Sequence, residues 1–254
     1  MTPEDWIAAI ERESSALKAV KLASLEIRVP SCPDWNLADL LSHTGWVYRF
    51  WAFVAELPEG ERVNRENSMA AGLPKVGSTQ RPEAELLPWF HESLQRLMDA
   101  YERQPSAKVI DSRYWGPQPL SWISRRMAHE TAIHRWDAEQ ALGDVSGFDP
   151  VLAADGVDEF LEFWVPVGFR YANFGGAGRS VGLEATDSDD SWRISVEAGT
   201  TSWRRGRGQG EADVIARGPA GDLYLFVWGR ASTGDLLVTG DSGTLSDWQS
   251  AAAI

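Results

Sequence analysis

The chain has 254 residues, and its composition is typical of a globular protein, with 43% hydrophobic and 24% charged residues. The formal net charge of −13 argues against a nucleic-acid partner and against binding to anionic membrane surfaces. The acidic start has neither region of a signal peptide, and no stretch reaches the roughly 20 apolar residues of a membrane helix. One cysteine, Cys32, excludes an internal disulfide, so we expect a cytoplasmic protein.

The first part of the chain carries the apolar periodicity of helices. Pro30 and Pro33 interrupt it, and Gly143 is a typical residue after a helix end. The predicted helices span 3–25, 37–56, 82–103 and 120–142, with a further one over 150–165. Four long helices separated by irregular connections at 58–81 and 104–118 predict an up-down four-helix bundle.

From Ser180 onward the pattern changes to short alternating segments. SVGLEAT and WRISVEA flank the turn TDSDDS and predict a hairpin. The segment 201–218 predicts a turn and another strand, 219–230 a helix, and DLLVTGD a strand before a closing helix. The sequence therefore predicts the α+β class, with a bundle followed by a small α/β domain.

The segment RRMAHETAIHRWDAE, residues 125–139, concentrates polar groups on one predicted helix. Its two histidines follow the spacing H-E-x-x-x-H. On an ideal helix His129 and His134 lie about 140° apart and cannot share one ion. Glu130 and His134 are four residues apart and lie on one face, and Asp137 returns to that face.

A metal site needs a further ligand from another helix, and His43 is the best candidate. Two imidazoles, one carboxylate and an open position suit Zn²⁺ or a similar divalent ion. Other interpretations stay open, because a Glu–His pair at this spacing is often a surface hydrogen bond. A histidine among apolar neighbours is also often a satisfied core residue.

The remaining polar candidates indicate structural roles. His91 is typical of a surface residue, and His129 of a structural residue or of one that supports a metal ligand. Cys32 has no basic neighbour that would make it reactive. The three arginines of the segment, Arg125, Arg126 and Arg135, are typical of surface or ion-paired side chains.

Three segments resemble the mycothiol-dependent maleylpyruvate isomerase family. VPSCPDWNLADLLSHTGWV resembles its N-terminal signature, and SWISRRMAHETAIHRWDAE resembles its metal-binding helix. ADVIARGPAGDLYLFVWGR, followed by LLVTGD, resembles its C-terminal domain, which is similar to sterol-carrier proteins. The resemblance covers nearly the whole chain in the expected order.

The resemblance implies a DinB-like bundle over 1–148 and a sterol-carrier-like domain over 149–254. It also implies metal ligation by His43, Glu130 and His134, with mycothiol as cosubstrate. A metal-bound thiolate would then attack an electrophilic small molecule, as in an isomerase or an S-transferase.

Two further residues are candidates for the reaction. Asp137 is expected to orient a ligand or to bind the metal directly. Arg230 can bind a carboxylate or a sugar group of substrate or cofactor through its two-pronged guanidinium, or it can be an ordinary cation at a helix end. A metal-dependent hydrolase and a non-catalytic small-ligand carrier are the alternative functions. The sequence indicates neither the electrophile nor the oligomeric state.

Overall fold

The structure, a computed structural model, describes residues 1–73, 85–112, 115–171, 178–197, 200–206 and 212–252. The chain divides into two compact units, Met1–Ser146 and Gly147–Ile254. Each unit has its own apolar core and is described by itself.

The described residues of the first unit form four long α-helices and one short one, besides a 3₁₀ turn at Leu22–Ser24. They are α1 (Pro3–Lys18), α2 (Leu37–Glu56), α3 (Arg65–Ala70), α4 (Leu86–Arg103) and α5 (Leu120–Leu142). Helix α2 packs on α4 and on α5, and α1 packs on α5. The predicted four-helix bundle is confirmed, and the second and fourth predicted helices have the predicted bounds.

The first predicted helix is too long, because α1 ends at Lys18 and not at residue 25. The carbonyl oxygens of Leu25 and Ile27 accept hydrogen bonds from the backbone N–H groups of Ala38 and Leu37. These donors belong to the first turn of α2, which has no acceptor within its own helix. The backbone is extended at Lys21 (φ −96°, ψ 152°), so the helical path ends before Leu25 and Ile27, which serve as acceptors for α2.

Helix α2 begins at a reciprocal cap that fixes its register. The side chain of Asn36 accepts a hydrogen bond from the backbone N–H of Asp39, and the Asp39 carboxylate accepts one from the backbone N–H of Asn36. This capping box stabilises the first turn. His43 consequently lies in the second turn of α2.

The two predicted irregular connections contain short regular elements. The segment 104–118 leads through an antiparallel pair, β1 (Val109–Asp111) and β2 (Pro117–Pro119). The segment 58–81 contains α3, but its residues 74–81 lie outside the described residues, as does the predicted helix start at 82.

The second unit begins with α6 (Pro150–Glu159), a π-helical turn (Phe160–Trp164) and α7 (Val165–Tyr171). Its sheet contains β3 (Ser180–Ala185), β4 (Ser191–Glu197), β5 (Thr200–Arg205), β6 (Val214–Gly218) and β7 (Leu237–Gly240). The strand order is β5-β4-β3-β6-β7, with β3 and β6 parallel and the other pairs antiparallel. The predicted hairpin is thus confirmed as β3 and β4.

Two helices complete the second unit, α8 (Ala220–Val227) and α9 (Ser242–Ala252). Helix α8 contacts β3, β6 and α6, and α9 contacts β6 and α8. Alternate residues of the strands are buried in the core with side chains of both helices, including Leu183, Ile194, Val214, Phe226 and Trp248. None of the described helices is both long and apolar enough to cross a membrane.

Candidate functional site

Three side chains from two helices meet in the first unit. Nε2 of His43, on α2, lies 3.1 Å from Oε1 of Glu130, on α5. Nε2 of His134, one turn further along α5, lies 3.3 Å from the same oxygen. One ligand atom from each residue lies within 4.8 Å of the others. The structure therefore brings together the three residues selected from the sequence.

The chemistry of this donor set fits a divalent cation. Bonds of about 2.1 Å to a tetrahedral Zn²⁺ place neighbouring ligand atoms about 3.4 Å apart. The two nitrogen–oxygen distances, 3.1 and 3.3 Å, are close to that separation. Within the described residues, this is the one group of three His, Cys, Asp or Glu side chains with such a spacing.

Asp137 lies behind His134. Its Oδ2 is 2.9 Å from Nδ1 of His134, and its side chain is fully buried. Ser31 donates a hydrogen bond of 2.5 Å to Oδ1, and Sγ of Cys32 lies 3.9 Å from Oδ2. A carboxylate on Nδ1–H fixes the ring orientation and leaves Nε2 facing Glu130.

His43 is held in a different way. Its Nδ1 is buried and has no hydrogen-bond partner among the described residues. The ring of Trp35 packs against it with a centroid distance of 4.7 Å, and against the ring of His134 at 6.0 Å. Packing against Trp35 therefore positions the His43 ring, whereas a hydrogen bond between Nδ1 and Asp137 positions the His134 ring.

Sequence reasoning missed Ser31 and Trp35. Both belong to the segment VPSCPDW that precedes α2, where the local signals are its two prolines and its resemblance to the family's N-terminal signature. The contact between Ser31 and Asp137 joins residues 106 positions apart. Helix periodicity carries no information on such a contact.

The second oxygen of Glu130 has its own partner. Nη2 of Arg126, one turn earlier on α5, lies 3.0 Å from Oε2, and the Arg126 side chain is buried. The ion-pair interpretation of this arginine therefore agrees with the geometry. Arg135 is also buried and pairs with Glu13 and Glu139.

These contacts shift the pKa values of the site. Burial alone would raise the pKa of Glu130, but hydrogen bonds from His134 and His43 and the charge of Arg126 hold it well below its ordinary value. Burial would lower the pKa of His134, but hydrogen bonds to Asp137 and Glu130 raise it to about 9. A cation that binds Nε2 must therefore displace a proton at neutral pH.

The other predicted residues lie elsewhere. Arg230 belongs to the second unit, where its Nη1 donates a hydrogen bond of 2.8 Å to the Trp228 carbonyl. It lines a cavity of about 810 Å³ together with Phe160, Trp228 and Asp235. His129 is fully buried and His91 is exposed, in agreement with the structural and surface roles indicated by the sequence.

A two-histidine, one-carboxylate centre within a helical bundle, followed by a small α/β unit, defines the class of this protein. Residues 6–139 match the family described as "Mycothiol maleylpyruvate isomerase N-terminal domain", and residues 151–247 match the "MDMPI C-terminal domain". The chain therefore belongs to the mycothiol maleylpyruvate isomerase family.

Two crystal structures show the same fold. The mycothiol-dependent maleylpyruvate isomerase is 18% identical, with a TM-score of 0.62, and a histidine-to-alanine mutant of that isomerase is 17% identical, with a TM-score of 0.63. Each alignment covers 94% of this chain and 93% of the other. The predicted α+β class, a DinB-like bundle followed by a small α/β domain, is thereby confirmed. None of the curated proteins matches the chain.

Asp137 gives the metal-free protein a testable pH dependence. The pKa of His134 rises from its ordinary 6.5 to about 9 on folding. The protonated ring therefore contributes stability that is fully present below pH 6.5 and is lost as the pH rises through about 9. In Asp137→Asn this loss should be smaller, because an amide favours the imidazolium less than a carboxylate does. Urea denaturation of chelator-treated protein across this pH range measures the difference.

The matched control for this measurement is Asp144→Asn, in an exposed position just after α5. It removes the same charge and should retain the wild-type pH dependence. An equal loss of stability in wild type and Asp137→Asn would contradict the pairing of Asp137 with His134.

Proposed function

We propose that this protein is a metal-dependent enzyme that uses mycothiol. It either isomerises an electrophilic small molecule or attaches mycothiol to that molecule through the thiol sulfur. The observation that carries the proposal is the convergence of His43 Nε2, Glu130 Oε1 and His134 Nε2. Family membership supports mycothiol as the thiol and isomerisation as the reaction, because the solved relatives are named for both.

The donor set supports Zn²⁺ or a similar divalent ion with an open position. Such a cation stabilises a thiolate at neutral pH, where a free thiol is largely protonated. His43 and His134 would each offer Nε2, and Glu130 would offer Oε1. Bundle cores build metal sites in this way, from inward side chains of facing helices.

Asp137 is proposed as a positioning residue. Its carboxylate is fully buried and contacts the Nδ1 side of His134, away from the three converging ligand atoms. It would keep the Nε2 lone pair of His134 directed at the cation. Ser31 would keep the carboxylate itself in place.

The proposed chemistry begins in the same way for both reaction types. The thiolate sulfur adds to one carbon of a conjugated cis double bond, and the electron pair of that bond moves toward the conjugated carbonyl. The former double bond is now single and rotates. In an isomerase, elimination of the thiolate restores the double bond in the trans configuration. In an S-transferase, a proton adds to the carbanion and the sulfur stays attached.

The first test of the site is metal content. The variants His43→Ala and Glu130→Ala each remove one ligand, so their affinity for Zn²⁺ should fall by more than the 10- to about 100-fold typical of a lost supporting partner. His91→Ala, which removes an exposed histidine from α4, is the control and should bind metal like the wild type. Elemental analysis after dialysis measures this. Full occupancy in both ligand variants would remove the proposed site.

The second test is thiol dependence. Zinc-loaded protein should convert maleylpyruvate, the compound in the names of the solved relatives, only when mycothiol is added. Proton NMR of the product separates a trans isomer from an S-adduct. Thiol-independent cleavage of amides would instead support a hydrolase. Ligand binding without any turnover would support a carrier.

Arg230 is proposed to bind a carboxylate of the substrate or a polar group of mycothiol. The proposal is supported by its place in the wall of the second-unit cavity and by the two-pronged donor geometry of guanidinium. Arg230→Met should raise the KM for one of the two substrates by about tenfold or more, with unchanged metal content. Arg217→Met removes the same charge from β6 and is the control. Unchanged KM values for both substrates in Arg230→Met would contradict this role.

A further inference from the structure

We infer that Arg126 makes the open position of the site selective for an anionic ligand. Its hydrogen bond to Oε2 of Glu130 leaves only Oε1 to bind a cation. Its positive charge favours a thiolate over a neutral ligand. This inference rests on the proposed function and assigns the selectivity to a residue that does not itself bind the cation.

The geometry separates the two oxygens of Glu130. Oε1 lies within 3.3 Å of both imidazole Nε2 atoms, whereas Oε2 accepts a charge-assisted hydrogen bond from Arg126. A carboxylate without this bond can turn both oxygens toward a cation and occupy the position that a fourth ligand needs. The guanidinium would therefore leave Glu130 one oxygen for a cation and leave room for a fourth ligand.

The formal charges of the site also favour an anionic fourth ligand. Glu130, Asp137 and Arg126 together carry a formal charge of −1, so a bound divalent cation brings this group to +1. An anionic fourth ligand then makes the group neutral. Without Arg126 the same anion would leave a net negative charge among largely buried side chains, where an uncompensated charge is costly.

This role differs from ordinary structural support in the sign of its effects. A side chain that only stabilised the fold would, on removal, weaken binding of metal and of every further ligand. Removal of Arg126 takes a positive charge away from the cation and frees a second oxygen of Glu130. The cation should therefore bind at least as tightly as before, while the thiolate binds more weakly.

The experiment uses the full-length protein loaded with Co²⁺, whose absorption bands report coordination number and thiolate binding. The variants are Arg126→Gln, which removes the charge, and Arg126→Lys, which keeps it. The control is Arg125→Gln, the neighbouring arginine, whose guanidinium lies 5.8 Å from the Trp6 ring centroid. Each protein is titrated with Co²⁺ against a chelator, and then with 2-mercaptoethanol or with neutral imidazole.

We expect Arg126→Gln to weaken 2-mercaptoethanol binding by roughly ten- to a hundredfold, the effect of one nearby charge in a partly screened site. Imidazole affinity should change much less, and Co²⁺ affinity should not fall. Arg126→Lys should keep most of the preference for the thiol, and Arg125→Gln should behave like the wild type.

Each other outcome overturns the inference. Unchanged thiol affinity in Arg126→Gln contradicts a selective role. A parallel loss of Co²⁺, thiol and imidazole affinity shows structural support only. Wild-type protein that binds no Co²⁺ contradicts the proposed function itself, and this inference falls with it, so the two failures are distinguishable.

Discussion

The polar side chains of the site converge on the carboxylate of Glu130. One of its oxygens faces two imidazoles and the other faces a guanidinium, all within 3.3 Å. A charge in such a largely buried place is stable only when its partners are present and correctly oriented. The positions of two helices therefore determine whether these partners reach Glu130. Helix α2 carries His43, and α5 carries His134 and Arg126.

The bundle holds α2 and α5 in the register that this convergence requires. Tyr48 donates a hydrogen bond of 2.8 Å to Oγ1 of Thr131, which donates in turn to the Met127 carbonyl. Burial raises the pKa of Tyr48, so its hydroxyl stays protonated and remains a donor. One turn earlier on α2, a Cβ at Gly45 would lie 2.2 Å from the Trp89 ring, so this glycine permits the close approach of α4.

Helix geometry was sufficient to pair Glu130 with His134, whereas His43 was a candidate from another helix that the family resemblance also implied. Spacing placed Glu130 and His134 on one face and excluded His129, and both conclusions follow from 3.6 residues per turn. Spacing also placed Asp137 on that face, but it could not show which ring nitrogen of His134 the carboxylate meets. That depends on side-chain rotamers and on Ser31, which a distant loop contributes.

The parts that sequence reasoning missed share a physical cause. Ser31 and Trp35 act through contacts between a loop and helices that are far away in the chain. The helix predicted over 3–25 is too long because the backbone is extended at Lys21, and beyond it Leu25 and Ile27 accept hydrogen bonds from α2. Local periodicity reports which face a residue occupies, whereas tertiary hydrogen bonds decide where a helix ends and what its residues contact.

The most direct measurement is a crystal structure of the zinc-soaked protein with anomalous data collected at the zinc edge. The account predicts one anomalous peak bonded to Nε2 of His43, Oε1 of Glu130 and Nε2 of His134, with Arg126 still on Oε2. A peak at other residues, or the three side chains in place with no peak between them, would contradict it.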